Sequence, residues 1–162
     1  MILDIIITSL INGSTYALLA IGFSLIFGVA RIVNIAHTAF YMVAAYCIYF
    51  VTYNMGYHPI VGMLIAVPLV TLLGMVTYRI FIAPIREHEA AVLIATIALA
   101  MALQEVMLLI FSGDYRSVPA LIQGFFTIFD RKIFYQQLIT LIAALVILGA
   151  LRLLLMQTKL GL

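Results

Sequence analysis

The sequence is poor in charged residues, and this scarcity excludes most soluble folds. Charged residues make up 9% of its 162 positions, whereas 67% are hydrophobic, and the mean hydropathy is +1.28. A soluble domain is nearer half apolar and a quarter charged. A core of this size cannot hide so much apolar surface, because a small domain leaves a large share of its surface facing solvent. We therefore expect most side chains to contact lipid.

Cysteine and excess charge are also scarce. The single cysteine, Cys47, excludes an intramolecular disulfide. The net charge of +2 is too small and too dispersed to indicate a nucleic-acid partner. The N-terminus lacks a basic leader, carries Asp4 and runs directly into an apolar stretch that is too long for a signal-peptide core. We therefore expect no removable signal peptide.

Motifs for catalysis and metal binding are missing from the sequence. It contains neither a GxSxG nucleophile turn nor an HExxH zinc helix. The histidines His37, His58 and His88 lie in separate loops or helix ends, and no two have the i, i+4 spacing that brings imidazoles together. A membrane enzyme or haem-binding subunit is thus a weak alternative. We expect no catalytic site, no metal and no cofactor.

Five apolar runs are long enough to cross a membrane. A hydrocarbon layer about 30 Å thick needs about 20 helical residues per crossing, and the runs cover residues 3–27, 36–51, 60–81, 90–111 and 136–156. The alternating pattern of transmembrane strands is missing. Because lipid offers backbone polar groups no partners, each run is expected to be helical. The sequence predicts an all-α, polytopic transmembrane bundle of about five helices, broken near residues 28–37, in a single domain over residues 1–162.

Basic residues indicate how the helices thread the membrane, since Lys and Arg accumulate in short cytoplasmic loops. If five helices alternate, one side carries Arg31, Arg79, Arg86, Arg152 and Lys159. The other side carries Arg116, Arg131 and Lys132, partly offset by Asp114, Asp130 and Asp4. We therefore expect the N-terminus outside and the C-terminus in the cytoplasm.

The stretch GVARIVNIAHTAF, residues 28–40, places polar side chains between two apolar runs. Asn34 has the chemistry of a helix N-cap, with His37 in the first turn of the second helix and Gly28 ending the first. A functional interpretation is compatible with this one. Irregular backbone at membrane depth is tolerated only where protein or a water-filled cavity surrounds it.

Two other features have alternative interpretations. Glu105 lies within the fourth run beside Gln104, and a carboxylate in a membrane helix is a functional candidate by default. It lies in the outer half of that run, however, where the cost of a charge falls, and an ion pair with Arg116 is the favoured interpretation. The aromatic loop over residues 112–135 favours either a short hairpin or re-entrant element, or an interfacial aromatic belt.

Small residues recur at helical spacing in two of the runs, which allows close helix packing in lipid. The first run carries Ala20, Ser24 and Gly28. The fourth carries Ala91 and Ala95, followed by Ala98 and Ala102, which shift the stripe around the axis.

Several ordered motifs resemble the permease subunits of branched-chain amino acid ABC transporters. SLINGSTYALLAIGFSLIFGVARIVNIAHTAFYMVAAY (residues 9–46) is similar to that family's first two helices, including an asparagine–x–alanine–histidine break at residues 34–37. APIREHEAAVLIATIALAMALQE is similar to its inner loop and fourth helix, and LLIFSGDYRSVP to the start of its outer loop. TKLGL is similar to the approach to the loop that docks on the ATPase.

The resemblance implies an importer subunit of the inner membrane, with a fold like the N-terminal half of such a permease. It implies a second permease subunit, two ATPases, an extracytoplasmic binding protein and a small-molecule cargo, such as a branched-chain amino acid, another small amino acid, urea or a short amide. The expected pathway residues are Asn12, Asn34, His37, Thr38, Thr96, Gln104 and Glu105. The expected binding-protein contacts are Asp114, Tyr115 and Arg116. The C-terminal half with the coupling loop would lie beyond residue 162, so a non-transporting scaffold or permease fragment is the alternative.

Overall fold

The computed structural model is helical, with one short β-hairpin, and it describes residues 2–118, 120–122, 124–128 and 131–157. The helices are α1 (Ile2–Ala30), α2 (His37–Tyr49), α3 (Pro59–Thr77), α4 (Glu89–Phe111) and α5 (Tyr135–Gln157). A π-helical turn extends α2 over Phe50–Asn54, and another extends α3 over Tyr78–Ile82, followed by a 3-10 turn at Ala83–Ile85. The predicted helical transmembrane class is confirmed.

Within the described part of the chain, four helices are long and apolar enough to cross a membrane. They cover Ile5–Ala30, Pro59–Ile85, Glu89–Phe111 and Tyr135–Leu153. All five expected helices are present, and four of them meet the length and hydropathy needed for a membrane span. The exception is α2, whose 13 residues rise about 20 Å. With the π-helical turn that extends it to Asn54, the helix continues over 18 residues, about 27 Å, and passes the end of the apolar run.

Contacts divide the chain into two compact units. The first comprises Met1–Val29 with Ala120–Leu162, and thus α1, the hairpin and α5. The second comprises Ala30–Pro119 and contains α2, α3 and α4. Lys159 and Asp130, used above in the threading argument, and the C-terminal TKLGL lie outside the described residues.

A glycine permits a close approach between α2 and α3. A Cβ placed on Gly62 would lie 3.1 Å from Ile48 Cα and 3.2 Å from Ile48 O. Ala66, one turn further along α3, is also buried. Small residues at this spacing let helix backbones approach closely in lipid, where hydrophobic attraction between helices is weak. Gly62 therefore fixes how α3 lies on α2.

The contact between α2 and α4 is built on alanines. Ala36 and Ala39 are buried with Ala100, and Phe40, Leu99 and Leu103 pack around them. The buried positions of α4 are Val92, Thr96 and Ala100. They recur every four residues and so share one face of the helix.

The small-residue stripes contribute less packing than expected. On α4, Ala98 and Ala102 are exposed, because the packed face runs through Thr96 and Ala100. On α1, the stripe of Ala20, Ser24 and Gly28 is exposed as well.

Of the interpretations left open for the loop before α5, the structure shows the short hairpin. Strands β1 (Phe125–Ile128) and β2 (Arg131–Phe134) pair antiparallel, with Phe125 opposite Phe134. The two rings pack edge to face at 6.2 Å. Gly124 precedes β1 with a φ of +132°, and a Cβ there would come within 2.9 Å of the Tyr135 ring. A residue with a side chain is thus excluded at this position.

Candidate functional site

Within the second unit, α2 and α4 run side by side in the same direction. The Ile35 N–H donates to Thr96 Oγ1 at 3.3 Å, and further along both helices the Tyr46 ring stacks on Phe111 at 4.6 Å. Thr96 lies about 10 Å along α4 from its start at Glu89. The break before α2 is therefore level with the interior of α4 rather than with its end.

The break begins two residues later than expected. We expected Gly28 to end the first helix, but α1 continues to Ala30, and Arg31 takes the left-handed conformation with a φ of 53°. In lipid each backbone group needs an intrahelical partner, so continuing the helix through Gly28 outweighs its weak helix propensity, about 1 kcal/mol. The left-handed residue then redirects the chain, as at many helix C-termini.

Asn34 organises the break through a turn that precedes the helix. It is 7% exposed, and its Oδ1 accepts from the Ala36 N–H at 3.1 Å, two residues on, as the capping interpretation requires. Its carbonyl oxygen accepts from the His37 N–H at 3.3 Å. The prediction that Asn34 is the N-cap itself is wrong: the N-cap is Ala36, which makes no side-chain capping bond, and α2 begins at His37, two residues later than a cap at Asn34 would start it. Asn34 therefore caps the turn before the helix, because its bond closes an Asx turn.

Thr96 ties the break to α4. Its side chain is buried, with 1% exposure, and its hydroxyl accepts from Ile35 and donates to Leu93 O at 3.0 Å. The hydroxyl therefore acts both as an acceptor, from the break before α2, and as a donor, to a carbonyl of its own helix α4. The tie is uncharged and joins residues 61 apart in sequence.

The structure brings together part of the expected pathway set. Asn34 and Thr96 are both buried, and Ile35, which follows Asn34, is hydrogen-bonded to Thr96. His37 is half-buried, and Thr38 is exposed and donates from Oγ1 to Ile35 O at 3.3 Å. Asn12 is exposed on α1, in the other unit.

Gln104 and Glu105 do not join this group. Both are exposed on α4, and Glu105 lies about 180° around the helix from Thr96. The expected ion pair between Glu105 and Arg116 is not formed, because Arg116 pairs with nearby Asp114 instead, with Nη2 and Oδ2 3.5 Å apart.

A second cluster lies where α2 and α4 end. The left-handed residue Ser112, with a φ of 64°, ends α4 and turns the chain back towards α2. Arg116 then donates from Nη1 to the Tyr49 hydroxyl and from Nη2 to Phe111 O, both at 3.4 Å. Its Cζ also lies 5.9 Å from the centre of the Tyr49 ring. The cation therefore satisfies a carbonyl at the helix terminus, where cations are favoured.

Sequence reasoning named Arg116 here but missed its aromatic partners. Tyr49 packs edge to face on Phe111 at 6.2 Å and stacks on Tyr53 at 5.4 Å. The available signal was the presence of aromatic residues at the ends of two neighbouring apolar runs.

This cluster borders a pocket of about 430 Å³. Its wall combines aromatic Tyr46 and Tyr49, apolar Ala45 and Val118, and the charged pair Asp114 and Arg116. The side chain of Arg116 is 38% exposed and that of Asp114 is 77% exposed, so both charges are accessible. Among the described residues, no three His, Cys, Asp or Glu side chains are grouped so that they could hold a metal ion.

The helices define a multi-pass membrane protein with a neutral break held against α4 and a charged, aromatic pocket where α2 and α4 end. The family described as branched-chain amino acid transport system / permease component matches residues 5–162, and the chain belongs to that family. This membership points to a transport role rather than catalysis.

A curated relative supports the same assignment. The chain is 26% identical over 171 residues to the high-affinity branched-chain amino acid transport system permease protein BraD of Pseudomonas aeruginosa. The alignment covers 96% of this chain and 55% of that protein, so the chain spans about half the length of this relative. No solved structure matches the chain.

Proposed function

We propose that this chain is a membrane permease subunit of an ABC importer and forms part of its translocation pathway. The observation that carries the proposal is the family match over residues 5–162. The partners are a second permease subunit, two ATPases and an extracytoplasmic binding protein, and residues 1–162 belong to a single permease domain. The cargo is a branched-chain or other small amino acid, with urea and short amides as alternatives.

The break before α2 supports a pathway role for Asn34, His37, Thr38 and Thr96. Non-helical backbone at membrane depth persists only where protein or water surrounds it. Here Asn34 and Thr96 satisfy the amides of Ala36 and Ile35, which leaves half-buried His37 at the start of α2. We also propose Asn12, on α1, and Gln104 and Glu105, on the exposed part of α4, as pathway residues. Alternating access requires two packings of such helices that differ by a few kcal/mol, which nucleotide binding to the ATPases would bias.

The proposed threading places the N-terminus outside and the C-terminus in the cytoplasm. It requires α2 to cross, and the parallel course of α2 and α4 between Thr96 and Phe111, about 22 Å, supports that crossing. Asp114, Tyr115 and Arg116 then face outward as contacts for the binding protein. We expect a Cys47→Ala, Arg86→Cys chain to resist an impermeant thiol reagent in intact cells. Labelling from outside would contradict this threading.

Co-purification and uptake test the proposal directly. The native chain is expressed together with any sequence that follows it in the same reading frame. We expect it to co-purify with an ATPase. We also expect the purified assembly to support ATP-dependent uptake of leucine into proteoliposomes. If no ATPase co-purifies, the importer assignment fails and a non-transporting membrane module is indicated.

The break is tested within that assay by His37→Ala, with His58→Ala as the matched control. His58 is exposed and caps α3 through a bond from the Ile60 N–H to its Nδ1, at 3.4 Å. We expect His37→Ala to lower uptake several-fold with normal membrane insertion, and His58→Ala to leave uptake near wild type. Unchanged uptake in His37→Ala would assign this histidine a purely structural role.

A further inference from the structure

We propose that the pocket at the ends of α2 and α4 is a binding subsite for a zwitterionic amino acid with an aliphatic side chain. Arg116 receives its carboxylate and Asp114 its ammonium group. The inference rests on the proposed function for the identity of the cargo, and it adds a site at which that cargo is recognised by charge.

The charges of the pocket match those of the ligand. Arg116 and Asp114 line the same pocket with Nη2 and Oδ2 3.5 Å apart. An α-amino acid carries its carboxylate and ammonium groups on one carbon, at a comparable separation. Urea and short amides carry neither charge, so this pocket distinguishes an amino acid from the neutral cargoes.

Arg116 remains available to a ligand although it has partners within the protein. Its contacts to Tyr49, Phe111 and Asp114 measure 3.4, 3.4 and 3.5 Å. Hydrogen bonds between a guanidinium and a carboxylate are usually about 2.7–2.9 Å, and the guanidinium has five N–H donors. The contacts use one N–H of Nη1 and two of Nη2, so the Nε–H and the second N–H of Nη1 remain for a ligand carboxylate.

Asp114 is available for a similar reason. Its side chain is 77% exposed, and the oxygen that contacts Arg116 is Oδ2. The carboxylate has a second oxygen, which accepts from the ammonium group of the ligand. The ligand thus adds one ionic contact to each residue while the contact between Arg116 and Asp114 remains.

The remainder of the pocket suits an aliphatic side chain. The rings of Tyr46 and Tyr49 and the side chains of Ala45 and Val118 form its apolar wall. The volume of about 430 Å³ lies within the range of small-molecule sites, roughly 300–1,000 Å³. A few placed polar groups among apolar walls is the usual composition of such sites.

A single tryptophan provides the readout. The chain contains no tryptophan, and Tyr115 lines the pocket with 97% exposure. In the purified full-length Tyr115→Trp chain, we expect leucine to change the tryptophan fluorescence saturably. Its analogues 4-methylpentanoate, which lacks the ammonium group, and 3-methylbutylamine, which lacks the carboxylate, are expected to bind about tenfold or more weaker. Urea is expected to give no change.

Charge variants in the same background assign each partner. Asp114→Asn is expected to make leucine and 4-methylpentanoate bind equally, and Arg116→Gln to make leucine and 3-methylbutylamine bind equally. Arg79→Gln, which changes an exposed arginine outside the pocket, is the matched control and should bind as the parent does. Because Arg116 also contacts the end of α4, helicity is measured by circular dichroism, and Asp114→Asn decides the question if Arg116→Gln loses structure.

The proposal is overturned if leucine gives no saturable change into the millimolar range, or if all four probes respond alike. Import of leucine by the assembled transporter, without binding in this pocket, would overturn the subsite and leave the proposed function standing. Selective leucine binding in a chain that recruits no ATPase would do the reverse.

Discussion

The two ends of α2 are held in place by different chemistry. At its start, Asn34 and Thr96 are buried, uncharged and hydrogen-bonded to backbone groups, and alanines fill the contact with α4. At its far end, Tyr49 packs among aromatic rings, and the exposed charges of Arg116 and Asp114 border a pocket. At one end, α2 and α4 are thus held together by hydrogen-bonded neutral groups. At the other end, they carry exposed charges that a ligand could contact.

This difference separates positioning from recognition. Buried polar groups without partners cost about 1–3 kcal/mol each, so the neutral ties at the start of α2 hold the break in one arrangement. Exposed charges contribute little to stability, with a median of about 0–1 kcal/mol per pair. We therefore expect removal of a buried polar group at the start of α2 to affect folding more than removal of an exposed charge at its end.

The largest effect is expected from Gly62→Leu on α3, near the far end of α2. Even a Cβ would lie 3.1 Å from Ile48 Cα, so a leucine side chain must push the two helices apart. Overpacking of this kind destabilises by about 1–3 kcal/mol, and backbone contact places this site at the upper end.

Cys47 reports the change, since it is half-buried on α2 and is the single thiol of the chain. Its rate of reaction with a maleimide in detergent is expected to rise in Gly62→Leu. Gly74→Ala on the same helix is the control, because nothing lies within 4 Å of a Cβ there. Equal thiol reactivity in the two variants would show that the contact at Gly62 is dispensable.

A smaller loss, in the lower part of the range of about 1–3 kcal/mol, is expected for Thr96→Val, because the bond that it removes is long at 3.3 Å. Valine keeps the shape but leaves the Ile35 N–H without its acceptor. Denaturant titration of helicity in detergent measures the change. Thr96→Ser keeps the hydroxyl and should retain most of the stability. Thr71→Val is the second control, since the Thr71 hydroxyl is exposed and bonds within its own helix, to Val67 O. Equal losses in Thr96→Val and Thr71→Val would remove the distinction between the two ends of α2.

The smallest effect is expected for Arg116→Gln, about 0–1 kcal/mol in the same titration. Its ion pair is exposed, and its bonds to Tyr49 and Phe111 are long. Arg79→Gln provides the baseline for an exposed arginine. A loss as large as that of Thr96→Val would mean that Arg116 holds the end of α4 in place, so that its role is structural as well as electrostatic.

Hydropathy was sufficient to predict the helices and the break between α1 and α2. Each apolar run became a helix, because lipid leaves the backbone no other way to satisfy its polar groups. Local chemistry also predicted the bond that Asn34 accepts two residues on, but not that Ala36 would be the N-cap of α2.

Features set by contacts between distant residues could not be predicted. The tie between Ile35 and Thr96 spans 61 residues, and that between Arg116 and Tyr49 spans 67. Neither distance leaves a trace in local sequence pattern. The interpretation of Glu105 as the partner of Arg116 was wrong for the same reason, because helical position alone does not show which face of α4 packs.

The contact at Gly62 has a consequence for gating. Because the backbone of Gly62 packs directly against the backbone and side chain of Ile48, we expect α2 and α3 to tilt together as one rigid body. The bending that accompanies such a tilt is then expected in residues 31–33, which precede the hydrogen bonds of Asn34 and Ile35 and have no helical hydrogen bonds to break.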